Sequence, residues 1–252
     1  MPDGLSFWGY VPTEEDSFFM ETFPFERDIP VEDSLRSVFF TNPCFSYSFQ
    51  SCYVLHTSAK YTMAADTVFV EKEKDRLFFF CHPKDKSLKV LVQPIKALNA
   101  SILFGIDKEI YAFLLRSLVS PQFIHSLSPL MIAWIKKSRM IFPKLMHVVI
   151  HENTIDVLCI EHGELLFVNS FNYENDNDVI YYIMYICKQT GFNQLEDYLT
   201  VSGIKTFCLS ILSVVGKYVK KTDYLHPKLN NYQVPADQNL TLDMIALLEC
   251  GI

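Results

Sequence analysis

The clearest candidate for chemistry is LTVSGIKTF, which runs from Leu199 to Phe207. Its apolar, β-branched start predicts a strand, and the residues after Gly203 predict a helix. Ser202 and Gly203 would then lie at the end of the strand, directly before the helix N-terminus. Backbone N–H groups at such a terminus bind anions, and Lys205 would add a positive charge. These three residues form a candidate anion-binding or nucleotide-binding site. The simpler alternative is a tight turn in which Ser202 caps the helix.

Other residue types that commonly do chemistry do not converge. His147 and His151 have the spacing of a zinc-binding pair, but HVVIHE has the composition of a strand and lacks the HExxH order. The Cys81-His82 pair has no further ligands nearby. Walker, GxGxxG and GxSxG motifs are absent. We predict no metal site and no specific catalytic residue, although the seven cysteines and seven histidines leave a Cys–His nucleophile open.

The composition is that of a folded protein with few charges. Half of the 252 residues are hydrophobic, 20% are charged, and the net charge is -7. This charge argues against non-specific nucleic-acid binding, which needs clustered Lys and Arg. The sequence shows no signal peptide and no run of about 20 apolar residues that would form a membrane helix. Seven cysteines without a CxxC pair favour reduced thiols, so we expect a cytoplasmic protein.

The two halves of the chain share a pattern. FFMETFPF at Phe18–Phe25 matches LFVNSFNY at Leu166–Tyr173, apolar on apolar and polar on polar. The same offset aligns the apolar positions of the helices that follow. A slightly larger offset aligns Leu5–Tyr10 with Ile155–Ile160, because one hairpin turn is two residues longer. The order of elements is shared as well, which predicts an internal duplication.

The pattern predicts two α/β lobes, residues 1–142 and 143–252. For the second lobe we predict strands at 145–151, 154–161, 164–172 and 197–202, an edge strand near 224 or 232, and helices at 176–190, 205–220 and from 241. For the first lobe we predict strands at 5–11, 17–25, 46–56, 60–64, 88–93 and 99–106, and helices at 30–40, 66–80, 107–119 and 127–140.

The first lobe lacks a counterpart of strand 145–151. We therefore expect strand 5–11 to have one neighbouring strand and an open second edge, and we interpret the start at Met1 as a truncation. The alignment also makes Phe23 equivalent to Phe171, and we expect both to be buried.

Several stretches resemble a known family: DGLSF at 3–7, YTMAADTVF at 61–69, HSLSPLMIAWIKKS at 125–138, GELLFVNSFNY at 163–173, YYIMYICKQTGF at 181–192 and LDMIALLECG at 242–251. They are similar to an uncharacterised bacterial family, a domain of unknown function with a duplicated ribonuclease H-like, actin-like ATPase fold. The resemblance spans nearly the whole chain. It implies an α/β protein of two lobes, each with a mixed sheet and flanking helices.

The resemblance also indicates where a nucleotide would bind. Active actin-like ATPases have two hairpins, usually with a DxG motif, in which Asp positions Mg²⁺ or water and Gly lets backbone N–H groups approach the phosphates. The corresponding turns here are Asp3-Gly4, without the preceding strand, and His151–Thr154, without a glycine. Asp3 and Glu152 thus join Ser202, Gly203 and Lys205 as candidate nucleotide-binding residues.

These observations favour a non-catalytic actin-like binding or scaffold protein with degenerate phosphate loops and no cofactor. The alternative is a divergent nucleotide-binding ATPase or kinase-type enzyme that uses Mg-ATP through Asp3, Glu152 and Gly203. We expect a protein partner that binds an aromatic surface or an open sheet edge, and neither nucleic acid nor a membrane.

Overall fold

The computed structural model describes residues 4–11, 13–14, 17–26, 28–140, 143–227 and 240–250. Within them the chain forms two compact units. The first unit contains the described residues up to Pro94 together with Ser101–Ser126; the second contains Ile95–Ala100 and the described residues from Leu127 onward. These units are defined by spatial contacts, and the lobe boundary at 142/143 stays a prediction about the repeat.

The first unit is built from seven strands and three helices among the described residues. They are β1 (Gly4–Gly9), β2 (Phe19–Pro24), α1 (Val31–Thr41), β3 (Tyr53–His56), β4 (Tyr61–Ala65), α2 (Lys74–Cys81), β5 (Leu88–Ile95), β6 (Ala100–Asp107), α3 (Lys108–Ser117) and β7 (Gln122–His125). β1 and β2 form an antiparallel pair, β3 and β7 a parallel pair, and β4, β6 and β5 a three-stranded sheet.

The second unit contains α4 (Leu127–Ser138), β8 (Leu145–Ile150), β9 (Thr154–Glu161), β10 (Glu164–Asn172), α5 (Asp176–Gln189), β11 (Tyr198–Ser202), α6 (Lys205–Val215), β12 (Lys221–Tyr224) and α7 (Leu242–Cys250). Its strands form one mixed sheet in the order β10-β9-β8-β11-β12. β8 pairs antiparallel with β9 and parallel with β11, and β11 pairs parallel with β12.

The core of the second unit follows from the sequence of its central strands. β8 and β9 lie inside the sheet and are almost continuously apolar, as strands covered on both faces are. Their side chains pack with α5 and α6 into one cluster that includes Met146, Val157, Ile183 and Ile211. α5 begins at a capping box formed by Asn175 and Asp178, which satisfies backbone N–H groups of the first turn.

The cysteines belong to different environments. The six cysteines whose side chains the structure describes are all free thiols. Cys159, Cys187 and Cys208 are buried in the core of the second unit. Burial raises the pKa of these thiols, to about 11 for Cys159 and Cys208 and to about 12 for Cys187. In the first unit Cys44 and Cys52 are partly exposed and Cys81 is exposed.

Two predicted elements of the first half are shorter in the structure, and one strand of the structure was not predicted. Strand 46–56 is shortened to β3, and its predicted first residue belongs to a 3₁₀ turn, Pro43–Ser46, whose Phe45 is buried. Helix 66–80 is shortened to α2. Its predicted start is a turn in which the N–H groups of Val68 and Phe69 both bind the carbonyl of Ala65. β7 was not predicted, because four residues are too few for a periodic signal.

The remaining predicted elements occur close to their predicted positions. In the second half, strands 154–161 and 164–172 have the predicted bounds, and α6 ends earlier than predicted, one residue before Gly216. No helix in the described part of the chain is long and apolar enough to cross a membrane.

Candidate functional site

Two neighbouring strands, β8 and β11, bring most of the predicted site residues to the edge of the second unit's sheet at which both strands end. In the parallel β8–β11 pair, Ser202 is opposite Val149. Gly203 therefore follows β11 beside Ile150, and the β8–β9 turn, with Glu152, begins directly after Ile150. Thus Ser202, Gly203 and Glu152 lie at the same edge. Asp3 lies outside the residues that the structure describes.

The β8–β9 turn is closed by one hydrogen bond of its own and by hydrogen bonds from Tyr173. The His151 N–H donates to the Thr154 carbonyl at 2.9 Å, and the Tyr173 N–H donates to the Asn153 carbonyl at 3.1 Å. The Tyr173 hydroxyl donates to the carbonyls of His151 at 2.6 Å and Glu152 at 2.9 Å. Tyr173 also stacks on Phe207 of α6, with ring centroids 5.9 Å apart. The turn is thus held by an aromatic residue from the end of β10.

A polar cluster lies directly beneath this turn. His151 Nε2 is 2.7 Å from Asp156 Oδ2, and the Ser170 hydroxyl donates to Asp156 Oδ1. Asp156 is buried, whereas about a third of the His151 side chain is exposed. Burial disfavours the charge on His151, but the hydrogen bond and charge of Asp156, with the charge of Asp243, outweigh burial and raise the pKa of His151.

Asp243 completes the charged surroundings of His151. It lies in the first turn of α7. Burial raises the pKa of its carboxyl, and the hydrogen bond from Thr241 and the charge of His151 oppose that rise. The acidic groups acting on His151 therefore come from the neighbouring strand β9 and from α7.

Gly203 is required by backbone geometry. Its φ of +134° is rarely adopted by residues with a side chain, and a Cβ at this position would collide with the carbonyl oxygen of Ile150. The Gly203 carbonyl accepts a hydrogen bond from the Tyr224 hydroxyl at 3.2 Å. The glycine therefore allows β11 to pass close to β8, whether or not a ligand binds.

The hydroxyl of Ser202 is engaged inside the unit. Ser202 is buried, and its Oγ lies 3.2 Å from Nε2 of His147. The Thr200 hydroxyl donates to the Met146 carbonyl and lies 2.9 Å from Nδ1 of His147. Because the Thr200 proton is used in this way, Nδ1–H donates to Thr200 and Nε2 accepts from Ser202. Ser202 does not cap the helix as predicted, because Ile204 is the N-cap of α6 and has no side-chain hydrogen bond. The tight turn of the same predicted alternative is present at Gly203.

His147 is fully enclosed in the second unit. Its ring packs on Trp134 of α4 at 4.6 Å between centroids, and the residue is 1% exposed. Burial and the nearby charge of Lys137 lower the pKa of His147 to about 3, although Thr200 and Asp156 oppose the shift. His147 is therefore a neutral member of the core.

The N-terminus of α6 is the part of the site that faces solvent. Gly203, Ile204 and Lys205 are all exposed, and the first turn of α6 has no side-chain cap. Lys205 is the first residue of the helix. Uncapped N–H groups with a neighbouring lysine are compatible with an anion. In the described ranges, no three His, Cys, Asp or Glu side chains are placed to hold a metal ion.

The sequence-based site omitted the residues that dominate the geometry, namely His151, Asp156, Ser170 and Tyr173. One signal was present in the sequence, because Asp156 interrupts the apolar strand TIDVLCIE. A charged residue in such a strand needs a buried partner. His151, five residues earlier across a tight turn, was the nearest candidate.

A family model described as "Protein of unknown function (DUF3822)" matches residues 1–222. The chain belongs to this family. No curated protein matches it. The match confirms the family resemblance inferred from the sequence.

Two solved structures establish the fold. A Bacteroides thetaiotaomicron protein, described as having an actin-like ATPase fold and unknown function, superposes with a TM-score of 0.88. It is 29% identical, over 98% of this chain and 92% of its own. The PilM–PilN type IV pilus biogenesis complex superposes with a TM-score of 0.58 at 9% identity, over 88% of this chain and 85% of its own. The predicted actin-like ATPase fold is thus confirmed.

Proposed function

We propose that this DUF3822 protein is a non-catalytic actin-like binding or scaffold protein whose phosphate-binding loops have degenerated. The main support is that the carbonyls of the β8–β9 turn, and the Asp156 carboxylate beneath it, have hydrogen-bond partners within the unit. Tyr173 binds the carbonyls of the turn, and Asp156 is shared by His151 and Ser170. In an active phosphate hairpin a glycine lets backbone N–H groups approach the phosphates, and His151–Thr154 contains no glycine.

The alternative is a divergent nucleotide-binding ATPase or kinase-type enzyme that uses Mg-ATP. The exposed, uncapped start of α6 favours it, because Lys205 and the free helix terminus would suit a phosphate or another anion. In that case Glu152, at the same edge of the sheet, would be the nearest predicted acidic residue. Asp3 would be its counterpart in the first lobe.

Thermal unfolding in the presence of Mg-ATP separates these two functions. A ligand at 100 times its Kd stabilises a protein by about 2.7 kcal/mol. For a protein of this size that corresponds to a rise in Tm of about 5–10 °C. We expect no rise up to millimolar Mg-ATP and no release of phosphate above the level without protein.

Lys205→Ala and Glu152→Gln are the matched variants for this experiment, because both side chains are exposed and neither should change folding. A rise in Tm with the wild type that is lost in both variants would overturn the non-catalytic proposal. Gly203→Asp is unsuitable, because any side chain at residue 203 would disturb the β8–β11 contact whether or not nucleotide binds.

A protein partner is part of the same proposal. On α5, Tyr181 is 61% exposed and Tyr185 is 44% exposed, and their rings stack at 6.0 Å between centroids. Exposed tyrosines with an apolar body and a polar tip are enriched at protein interfaces. The net charge of -7 does not favour nucleic acid as that partner. We also propose a cytoplasmic location, supported by seven cysteines without a CxxC pair.

A further inference from the structure

The outermost strand of the second unit's sheet, β10, has a counterpart in the first unit, β2. The sequence alignment places Leu5 on Ile155 and Phe23 on Phe171. In the structure Leu5 is opposite Phe23, and Ile155 is opposite Phe171, in antiparallel pairs. The hairpins β1–β2 and β9–β10 therefore have the same register, and the exposed positions of β2 and β10 can be compared one by one.

The two strands differ at the positions that would protect an edge from pairing. Outer strands usually carry charges or proline, which prevent another chain from adding a strand. β2 has Glu21 and Pro24, both exposed. The aligned residues of β10 are Asn169 and Asn172, also exposed. β10 therefore lacks the protection that β2 has.

The backbone of β10 can accept a further strand on its outer side. In the sheet of the described residues, β10 is at one end of the strand order and has β9 as its strand neighbour. Alternate residues of an antiparallel strand direct their N–H and C=O groups to opposite sides. About half of the backbone groups of β10 therefore point away from β9.

An aromatic run connects β10 to the exposed face of α5. Phe171 stacks on Tyr182 at 4.4 Å between ring centroids, Tyr182 contacts Tyr181 at 5.5 Å, and Tyr181 stacks on Tyr185 at 6.0 Å. Tyr181 is 61% exposed and Tyr185 is 44% exposed, so neither ring is covered by another part of this chain. We call the outer side of β10 together with Tyr181 and Tyr185 the β10–α5 surface.

The charges of α5 make this surface complementary to itself. Asp176 and Asp178 lie in the first turn of the helix, and Lys188 lies in the last turn. Two α5 helices that pack antiparallel around Tyr181 and Tyr185 would bring Lys188 of each helix beside the acidic first turn of the other. Opposite charges then face each other twice, as a two-fold symmetric contact requires.

We propose that the β10–α5 surface binds the same surface of a second copy of this chain, forming a two-fold symmetric dimer. The two β10 strands pair antiparallel, so that the five-stranded sheets of the two copies become continuous. Glu164 is the one charged residue of β10 and lies at its end, so this pairing places no like charges opposite each other. The inference rests on the proposed binding function, for which it identifies the partner.

Sedimentation equilibrium of the purified chain measures the dissociation constant of the dimer. We expect the wild type to sediment as a dimer at micromolar concentration. Asn169→Glu should raise the dissociation constant at least about tenfold, because it places a glutamate of each copy near the centre of the strand pair. The hairpin should still fold, since β2 carries a glutamate, Glu21, at the aligned position.

Two matched pairs of variants test the helix. Tyr181→Ala should weaken the dimer at least about tenfold, whereas Tyr218→Ala should not, because Tyr218 precedes β12 at the opposite edge of the sheet and is 56% exposed. Lys188→Glu should weaken the dimer, because it places like charges together. Lys217→Glu changes the net charge equally at another exposed position and should leave the dimer intact.

Hydrogen exchange locates the contact without any substitution. In concentrated wild-type protein, we expect the β10 amides that point away from β9 to exchange at least about tenfold more slowly than in dilute protein. The amides of β12, at the other end of the strand order, should exchange at the same rate in both samples.

Three results would overturn the proposal. The first is a chain that stays monomeric and exchanges rapidly at β10. The second is a monomer whose outward β10 amides are protected, because the chain would then cover its own edge. The third is a dimer that Asn169→Glu, Tyr181→Ala and Lys188→Glu all leave intact, because its contact would lie elsewhere.

Failure of the dimer and failure of the proposed non-catalytic function give different results. A dimer that shows the expected behaviour but binds Mg-ATP would overturn the non-catalytic function and leave the dimer in place. A monomer that does not bind Mg-ATP would overturn the dimer and leave the non-catalytic function in place.

Discussion

At the scale of single residues, His147 makes the stability of the second unit depend on pH. Its pKa of about 3 in the folded protein lies below the value of about 6.5 in an unfolded chain. Between these values the unfolded state binds a proton that the folded state does not. The stabilising effect of the neutral ring is complete above pH 6.5 and is lost progressively as the pH falls toward 3.

We expect the contribution of His147 to fall by about 2 kcal/mol between pH 7 and pH 5. The measurement is urea unfolding of the wild type and of His147→Gln at both pH values. The glutamine is less stable at pH 7, because it fits the Trp134, Thr200 and Ser202 contacts less well, but it does not titrate. Its stability should therefore fall less on acidification. His226→Gln, at an exposed histidine, should behave like the wild type. Parallel pH dependence in wild type and His147→Gln would contradict the assignment.

His151 changes the stability with pH in the opposite direction to His147. The pH dependence of the wild type alone therefore combines both effects, and a variant at His147 is needed to isolate one of them. The pKa of His151 is raised, so its stabilising pairing with Asp156 is complete below pH 6.5 and is lost as the pH rises through the folded-state pKa. His147 lies within β8, and His151 follows the last residue of the same strand. The sequence around the two histidines does not show which pKa is lowered and which is raised. The difference comes from Trp134, which covers His147, and from Asp156, which pairs with His151, and both belong to other elements.

At the scale of elements, the two hairpins β1–β2 and β9–β10 have the same register, and this makes Phe23 and Phe171 comparable. Both are half-buried, which is less than the full burial expected from the sequence. Phe23 packs against Phe45 at 6.0 Å between centroids, and Phe171 stacks on Tyr182 at 4.4 Å. Each phenylalanine therefore attaches its hairpin to the element beneath it.

Truncation of either phenylalanine should destabilise the protein by a similar amount. A fully buried Phe→Ala change costs about 3–5 kcal/mol, so we expect about 2–3 kcal/mol for Phe23→Ala and for Phe171→Ala because each side chain is partly exposed. Chemical denaturation measures both. Phe80→Ala is the control, because Phe80 is 88% exposed and should change the free energy of unfolding by less than about 0.5 kcal/mol. A negligible effect of one truncation beside a large effect of the other would refute the equivalence.

The elements that the sequence predicted well are those with long periodic patterns. β9, β10 and α5 are eight or more residues long, and their apolar spacing indicated both type and bounds. β3 and β7 are four residues each and were shortened or missed. Their ends are set by tertiary contacts such as the burial of Phe45, which local propensity does not contain. For the same reason the sequence indicated Gly203 but not the Asp156 cluster, which assembles three separate elements.

At the scale of the whole molecule, the reactivity of the cysteines distinguishes opening of the second unit from opening of the first. Thiols react as thiolates, and burial raises the pKa of Cys159, Cys187 and Cys208 to about 11 or above. These three therefore react only when the core of the second unit opens. Cys81 is exposed and needs no opening of the first unit.

With an alkylating reagent and peptide mass spectrometry, we expect Cys81 to be modified first. Cys159, Cys187 and Cys208 should follow much later and at one common rate, because they lie in a single core cluster. The experiment is best done in a Cys250→Ser variant, so that the modified thiols are counted among the six described cysteines. The common rate should rise in His147→Gln, whose core is weakened, while the rate at Cys81 stays unchanged. Three distinct rates for the buried thiols would show that this core opens in parts.

The contact between Gly203 and the Ile150 carbonyl has a consequence for the evolutionary record of this family. Selection acts on this position through the close passage of two strands, so every larger residue is penalised before any ligand is considered. A glycine retained here across distant relatives would thus record inheritance of the sheet. Loss or retention of nucleotide binding would instead be recorded at exposed positions such as Lys205 and Glu152, whose side chains take no part in this close passage of the two strands.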